Sequence, residues 1–400
     1  MQSPFSVVTH AMFMQLLLPT FLIHLTRGLT VACLPMFILN GLELSKFHVG
    51  IAIGAIGLGK IAIDLPASVL LDRVGSRKLM VLSALVIGVS AIWNMFMVSL
   101  ESFGGLVLGL FVYGAGQGTG VLSRLAMMSE QISTNERGRV SSMLGGSDRL
   151  AMAIGPLLGA LGIAIFGGIV GVFILQSSCA FASAAVVSFS ASSISELSTR
   201  TNVEFCSSGW QQRVNLAILL NVSVFVLALQ LVREARKLAI PITGYEIGMS
   251  SDQVAWYSTI SFGTDALLFL ISGSLMDSHG RILTGTASIS CLVLSMLVLV
   301  PGISGDIILL HALLAGIGNG LSAGIVPALG ADLAPKTDKS EFLGYYRLFA
   351  DLGEFVGPFI VGVASQFTSV PTMMNIVACI GTAGGFWLTI FVPEPVIVEK

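Results

Sequence analysis

Apolar residues occur along this chain in runs of about 20, and short polar stretches separate the runs. A helix of that length rises about 30 Å, which matches the hydrocarbon thickness of a bilayer. The pattern therefore predicts an all-α membrane protein with twelve transmembrane helices. The predicted spans are residues 14–39, 48–71, 79–100, 104–128, 140–165, 168–190, 214–243, 253–274, 282–303, 306–330, 342–367 and 371–393.

The composition supports this prediction and leaves little room for a soluble domain. Of the 400 residues, 54% are hydrophobic and 10% are charged, against about 25% charged residues in a soluble domain. The first run lacks the short core and small-residue cleavage site of a signal peptide, so we interpret it as a retained helix. An even number of spans then places both termini on the same side of the membrane.

Basic residues concentrate in alternate loops and predict the orientation of the chain. By the positive-inside rule, these loops and both termini face the cytoplasm, and we expect a multi-pass protein of the plasma membrane. The basic loop residues are Arg73, Arg77, Lys78, Arg137, Arg139, Arg200, Arg213, Arg281, Lys336 and Lys339. The opposite loops hold Lys46 and otherwise the acids Glu43, Glu101, Glu246, Asp252 and Asp306.

Metal, disulfide and nucleotide chemistry find little support in the sequence. The five cysteines are scattered, with no CxxC pair and no histidine at ligand spacing. Residues 54–60 fit the start of a phosphate-binding loop, but Ile61 replaces the required serine or threonine and the run lies in an apolar span. We therefore expect no enzymatic activity, no metal, no cofactor and no nucleic-acid partner.

Matching landmarks in the two halves reveal an internal repeat. Their common order makes chance a poor explanation. We predict two six-helix bundles, residues 1–191 and 214–400, joined by a cytoplasmic linker at residues 192–213. The pairs are Arg27 and Pro35 with Arg233 and Pro241 at an offset of 206, Asp72 and Gly75 with Asp277 and Gly280 at 205, and Gly114 to Gly118 with Gly316 to Gly320 and Gly155-Pro156 with Gly357-Pro358 at 202.

The loop after the second span resembles the major facilitator superfamily, and the resemblance covers essentially the whole chain. Residues 72–78 are similar to the end of the pattern G-x-L-x-D-R-x-G-R-R, although Ser68 replaces the leading glycine and Ser278 replaces a basic residue in the second copy. The resemblance implies a secondary transporter whose two bundles rock about a midplane substrate site.

The same loops are candidates for a latch that holds one state. Asp72 and Asp277 end helices at the cytoplasmic face, where the negative end of a helix dipole favours a nearby cation. A simple basic topology anchor is the alternative. The predicted latch residues are Asp72, Arg73, Gly75, Arg77, Asp277, Gly280 and Arg281.

Four charges within the spans predict salt bridges between the halves. The resemblance implies that spans 2 and 11 meet across the halves, as do spans 5 and 8. Helical rise places Lys60 about 18 Å and Asp351 about 15 Å from the cytoplasmic helix ends, and Asp265 and Arg149 match these depths. We therefore predict the pairs Lys60–Asp351 and Arg149–Asp265; the alternative is that each charge lines a wet cavity.

Two further carboxylates are candidates for proton coupling. Asp64 shares a helix face with Lys60, and Glu354 lies on the face that carries Asp351. A carboxylate desolvated at bilayer depth can bind and release a proton as the cavity alternates. The alternative for Asp64 is a permanent pair with Arg347 or Lys60.

Cations without an obvious carboxylate partner mark the candidate substrate site. Arg27 stands in span 1, and Arg233 is followed one turn later by Arg236 and Lys237. This excess favours an anionic substrate. The predicted substrate-binding residues are Arg27, Arg233, His24, Gln117 and Asn319, of which the last two occupy equivalent repeat positions and have helix packing as their alternative role.

Two kinds of transporter share features with these spans. The R-x₇-P arrangement resembles organophosphate:phosphate exchangers, in which two such arginines hold phosphate. Arginine near this place in span 1 also occurs in drug:proton antiporters, and the run 341–358 looks more like these antiporters. The Gly155-Pro156 element is similar to the antiporter motif of the superfamily, with a packing kink as its alternative. We therefore expect a monomeric, proton-coupled exporter of small organic molecules. An organic-anion or organophosphate exchanger is the alternative, and a sensor without transport is a third class.

Overall fold

The structure, a computed structural model, describes residues 12–132, 137–190, 216–335 and 339–394, without the side chains of residues 137–139 and 339–341. The predicted linker lies outside the described part, as do Arg200, Cys206, Arg213, Lys336 and the side chains of Arg137, Arg139 and Lys339. The described helices are α1 (Phe13–Gly41), α2 (Lys46–Val74), α3 (Ser76–Ser99), α4 (Phe103–Gln131), α5 (Arg137–Phe166), α6 (Val170–Phe189), α7 (Leu216–Glu246), α8 (Ser251–His279), α9 (Arg281–Leu297), α10 (Gly305–Leu333), α11 (Lys339–Phe367) and α12 (Val370–Phe391).

The fold class predicted from the apolar runs is confirmed. Eleven of the described helices are long and apolar enough to cross a membrane, and α9, with 17 residues, is the shorter twelfth. It stops at Leu297, four residues before Pro301, whose ring cannot continue a helix. Each helix overlaps one predicted span. One irregularity was not predicted: α10 is interrupted between Leu321 and Ile325.

The helices pack in the same pattern in the two halves. α1 packs against α5 and α6, as α7 packs against α11 and α12. Likewise α4 contacts α2 and α3, as α10 contacts α8 and α9, and the pair α3 and α6 corresponds to α9 and α12. These contacts of the first six helices recur six helices later, which gives the two pseudo-symmetric bundles that the repeat predicts. The boundary at residues 192–213 stays a prediction.

Glycine turns join α2 to α3 and α8 to α9. Gly75 and Gly280 have φ angles of +82° and +87°, which residues with a Cβ adopt only with strain. This requirement gives a physical reason for a glycine at the same place in both halves. We call the side of the protein that carries these two turns the turn face.

The other predicted latch residues also lie at the turn face. Asp72 and Arg73 are exposed at the end of α2. Arg77 donates hydrogen bonds to the Val187 carbonyl at 2.9 and 3.2 Å and to the Ser188 carbonyl at 3.3 Å, at the C-terminal end of α6, where the helix dipole is negative. Arg281 contacts Asp277 at 2.9 Å. The contacts of Arg77 and Arg281 stay within one bundle, so a latch between the bundles remains a prediction.

The two bundles meet through α2 with α11, α5 with α8 and α1 with α7. The first two contacts are those that the family resemblance implied. Small residues let the backbones approach closely: a Cβ added at Gly50 of α2 would lie 2.5 Å from the Cα of Gly362 in α11. An ion pair between Lys46 and Glu246 joins the bundles at the same end. We call this end, opposite the turn face, the closed face.

Candidate functional site

Buried charges lie between the bundles, and the first cluster is centred on Glu354 of α11. Its carboxylate accepts hydrogen bonds from Lys60 of α2 at 2.6 Å and from Gln230 of α7 at 3.3 Å, and Arg27 of α1 lies at 3.7 Å. Lys60 and Arg27 come from the opposite bundle. The predicted pair Lys60–Asp351 is therefore wrong. Lys60 reaches the carboxylate one turn further along α11, because depths counted along helices resolve no better than a turn.

Glu234 of α7 is a second carboxylate at this level. Arg27 donates to it at 3.0 Å, and Lys237 on the next turn of α7 also contacts it. The prediction that Arg27 and Lys237 lack carboxylate partners is thus wrong. The partner of Arg27 lies 207 residues away in the chain, and only the packing of α1 against α7 brings the two side chains together.

Asp265 of α8 forms the centre of another cluster. Arg149 of α5, in the opposite bundle, approaches it at 3.2 Å, Arg236 of α7 at 3.2 Å, and the Asn319 amide of α10 donates to it at 2.5 Å. The structure thus brings together the pair Arg149–Asp265, which was predicted from the helix contacts that the family resemblance implies and from matching depths. It also gives Arg236 a partner that the sequence did not reveal. Asn319, a predicted substrate residue, holds Asp265 here.

Arg233 differs from these cations. It donates hydrogen bonds to the carbonyl and hydroxyl of Ser322, at 2.7 and 2.6 Å, and to Gln230 at 2.8 Å. In the part of the chain that the structure describes, no carboxylate lies within 4 Å of it. Ser322 ends the first segment of the interrupted helix α10, so the guanidinium interacts with a negative helix end. Arg233 therefore remains available to an anionic ligand.

His24 of α1 belongs to a further cluster, within the first bundle. Its Nδ1 lies 2.8 Å from Asp148 of α5, and its Nε2 lies 2.8 Å from Arg124 of α4. Sequence reasoning missed Asp148 and Arg124, although a charge inside an apolar span is the signal that selected the other residues. Gln117 of α4 is 2% exposed and donates to the Tyr113 hydroxyl at 2.9 Å and to α1, as its alternative packing role predicts.

Asp64, a candidate for proton coupling, lies on the turn-face side of Lys60. Arg347 of α11 is 3.5 Å from Asp64 and 3.4 Å from Asp351, one turn along its own helix. The contact observed for Asp64 is thus its alternative, the pair with Arg347. The Arg347 side chain is 34% exposed, against 11% for Lys60, so this pair lies in wetter surroundings. A proton-carrying role for Asp64 stays a prediction.

Cations outnumber carboxylates among the described charges in the middle of the bundles. With a neutral His24, the eight cations and six carboxylates leave two positive charges uncompensated. Low-dielectric surroundings strengthen the attraction of such an excess for an anion. The cations are Arg27, Lys60, Arg124, Arg149, Arg233, Arg236, Lys237 and Arg347, and the carboxylates are Asp64, Asp148, Glu234, Asp265, Asp351 and Glu354.

Comparison with known sequences identifies the family to which this arrangement of two bundles with buried charges between them belongs. A sequence model of the Major Facilitator Superfamily matches the chain at residues 16–232 and again at residues 216–400. The chain belongs to the Major Facilitator Superfamily. This major facilitator protein is therefore a multi-pass membrane protein with the two-bundle architecture of that family.

Relatives identified by sequence are transporters without an assigned substrate. An uncharacterized transporter of Buchnera aphidicola subsp. Acyrthosiphon pisum (strain APS) is 25% identical over 123 residues, which are 31% of this chain and 30% of the relative. Another, from Buchnera aphidicola subsp. Schizaphis graminum (strain Sg), is 28% identical over 145 residues, 35% of this chain and 36% of the relative. The matches thus span about a third of each relative.

Solved structures of transporters share the whole fold. The nucleoside transporter NupG superposes with a TM-score of 0.71 at 11% identity, over 95% of this chain and 98% of NupG. A D-xylose-proton symporter superposes with a TM-score of 0.74 at 15% identity, over 96% of this chain and 98% of the symporter. At these identities the likeness shows the fold alone.

Proposed function

We propose that this transporter exports small organic molecules and couples their movement to protons. The observation that carries the proposal is the environment of Glu354. Its carboxylate is the common partner of Lys60 and Arg27, which both belong to the opposite bundle. A proton on this carboxylate removes the charge that attracts the two cations. It therefore weakens the contact between the bundles at the depth where they must separate for access to alternate.

The positions of the closed face and the turn face support export as the direction of transport. With the basic loops of the turn face in the cytoplasm, the closed face is the outer one, and a state shut at that face would load its substrate from the cytoplasm. An unprotonated Glu354 between two cations fits a state that has already released its proton inside. In this scheme both termini are cytoplasmic, in a plasma membrane, and one chain holds the complete charge cluster and works as a monomer.

The fold is compatible with proton coupling in either direction. One of the proteins that share it is a D-xylose-proton symporter, and another is a nucleoside transporter. Their substrates are uncharged sugars or nucleosides by name, whereas the cluster described here is rich in cations. The resemblance of span 1 and of the run 341–358 to drug:proton antiporters supports exchange. We therefore propose antiport for this chain, and flux measurements test it.

The test is flux in proteoliposomes under imposed pH gradients, with a panel of lipophilic cations and organic anions. Wild-type flux is expected to follow the proton gradient. Glu354→Gln keeps the shape and the hydrogen-bond acceptor but cannot take up a proton, so it should lose the gradient response while it retains exchange of substrate for substrate. Glu130→Gln is the matched control, because Glu130 contacts Ser76 within one bundle. A full gradient response in Glu354→Gln would contradict the proposal.

Arg233 favours a second candidate, exchange of organic anions or organophosphates. This arginine has no carboxylate partner among the described residues, whereas Arg27 is paired with Glu234. An anion held by both arginines would have to displace Glu234 from Arg27. The double variant Arg27→Ala/Arg233→Ala separates the candidates. Anion exchange that ignores pH and is lost in the variant would favour the second, and cation flux that follows pH and survives would favour the first.

A further inference from the structure

His24, Asp148 and Arg124 form a cluster to which the Glu354 proposal gives no role. The cluster borders a small cavity, which His24, Arg124, Gln117 and Thr20 help to line. It has no counterpart in the second bundle, where the offsets of 206 and 202 lead to Gln230, Ala350 and Val326. A buried histidine between opposite charges that breaks the symmetry of the repeat is a candidate for a separate site.

The contacts of His24 assign its protonation state. A guanidinium has donors only, so the Nε2 atom that lies 2.8 Å from Arg124 must act as an acceptor. The ring proton is therefore on Nδ1, 2.8 Å from Asp148. The Nδ1–H thus faces the Asp148 carboxylate, which attracts it both as a hydrogen-bond acceptor and as a negative charge. The imidazole is thus neutral and lies between a cation and an anion.

A proton and Arg124 compete for the same lone pair of His24. A proton that binds Nε2 breaks the hydrogen bond from Arg124 and places two cations side by side, so Arg124 has to move away. An anionic group that binds Arg124 draws the guanidinium off Nε2 and leaves the lone pair free. Asp148 then stabilises the imidazolium that forms.

We propose that His24 is a proton site that fills when an anionic group engages Arg124, so that a proton and an anion bind together. The ligand is a carboxylate or phosphate group, because these match the planar fork of a guanidinium. The Asp148 side chain is 35% exposed, which gives such a ligand a wet approach to the cluster. The site goes beyond the Glu354 proposal and does not depend on it.

Other charged groups surround the cluster and belong to the same electrostatic system. Arg27 lies one turn along α1, Arg149 follows Asp148 on α5, and Arg347 of α11 acts on Arg124 across the bundles. α3 contributes the uncharged Met80 to the cavity, and α6 touches α1 through Ser183. Apart from Asp148, the described charges that act on His24 are positive, so an arriving anion offsets an existing repulsion.

The test is nitrogen NMR of protein labelled with ¹⁵N-histidine, with the His24 signal assigned by its loss in His24→Gln. The readout is the ratio of protonated to neutral His24 at about pH 6, where histidine titrates. Arg124→Gln is expected to raise this ratio at least about tenfold, because a neighbouring charge is removed. Asp148→Asn should lower it. An unchanged or lower ratio in Arg124→Gln would overturn the proposal.

Controls separate charge competition from general disruption. Arg124→Lys keeps a cation and a donor, so its ratio should stay near that of wild type. His311 is a second histidine in a described helix, with its Nδ1 2.7 Å from the Ser295 carbonyl, and its signal should not respond to any of these variants. If Arg124→Lys raised the ratio as much as Arg124→Gln, or if the His311 signal moved too, the effect would be structural and the proposal would be wrong.

Inorganic phosphate and succinate are the probes for the anion. In the wild type, at least one of them should raise the protonated fraction of His24 above that in chloride at equal ionic strength, and Arg124→Gln should abolish the response. A response to neither probe would overturn the proposal even if Arg124→Gln raised the ratio, because neither anion would then promote binding of the proton. Because this readout needs no flux, its outcome is independent of the transport result for Glu354→Gln, and either proposal can fail without the other.

Discussion

The contact between Gly50 of α2 and Gly362 of α11 offers a direct way to shift the two access states. A Cβ at position 50 would lie 2.5 Å from the Gly362 Cα, and ordinary contact begins at 3.4 Å, so Gly50→Ala requires the helices to separate by about 0.9 Å. Overpacking of this kind costs about 1–3 kcal/mol. The penalty acts only when the closed face is shut, so the equilibrium should shift about 5- to 150-fold towards the opposite state.

The helix itself does not offset this penalty. Glycine to alanine within a helix stabilises it by about 1 kcal/mol, but α2 is helical in both states and the gain cancels. Gly54 provides the matched control. It lies one turn further along α2 and also faces α11, but its added Cβ would lie 3.7 Å from the Phe355 carbonyl, which is ordinary contact.

The assay is electron spin resonance distance measurement between labels at Ser45 and Ile247, on opposite bundles at the closed face. Gly50→Ala should enrich a longer distance population, and Gly54→Ala should match the unsubstituted protein. Substrate flux should fall in Gly50→Ala because one state is depleted. If Gly50→Ala left the distance distribution unchanged, the closeness of α2 and α11 would not control access, and the reasoning would be refuted.

Three stability predictions, all measured by thermal unfolding in detergent, test other contacts. Arg77→Ala removes the hydrogen bonds to the end of α6 and should destabilise the protein by about 1–2 kcal/mol. Asp265→Asn leaves Arg236, which is 3% exposed, without a carboxylate and should cost about 3–5 kcal/mol; adding Arg236→Gln should recover part of this, and no recovery would contradict the pairing. Gly280→Ala should cost about 1–3 kcal/mol because of its positive φ, whereas Gly273→Ala, which meets open space inside α8, should stabilise the protein by up to about 1 kcal/mol through helix propensity.

The sequence determined the fold because a bilayer leaves few choices. Backbone groups in hydrocarbon must bond within their own segment, so an apolar run of about 20 residues becomes a helix whatever its neighbours are. The order of the landmarks then determined the symmetry of the two bundles. The pair Arg149–Asp265 needed more than the sequence pattern, because the facing of its two helices came from the family resemblance and only the depths came from helical rise.

The tertiary structure decided how the remaining charges are shared. Lys60 meets Glu354 rather than Asp351, Arg27 meets Glu234, and His24 lies between Asp148 and Arg124. Partners more than 90 residues apart depend on the rotation of each helix about its axis and on the register between bundles. Side chains at one depth can point in any direction around a helix, and one turn changes the partner. Composition and spacing determine how deep a charged residue lies in the membrane. Only the packing of the helices determines which way its side chain points and therefore which partner it meets.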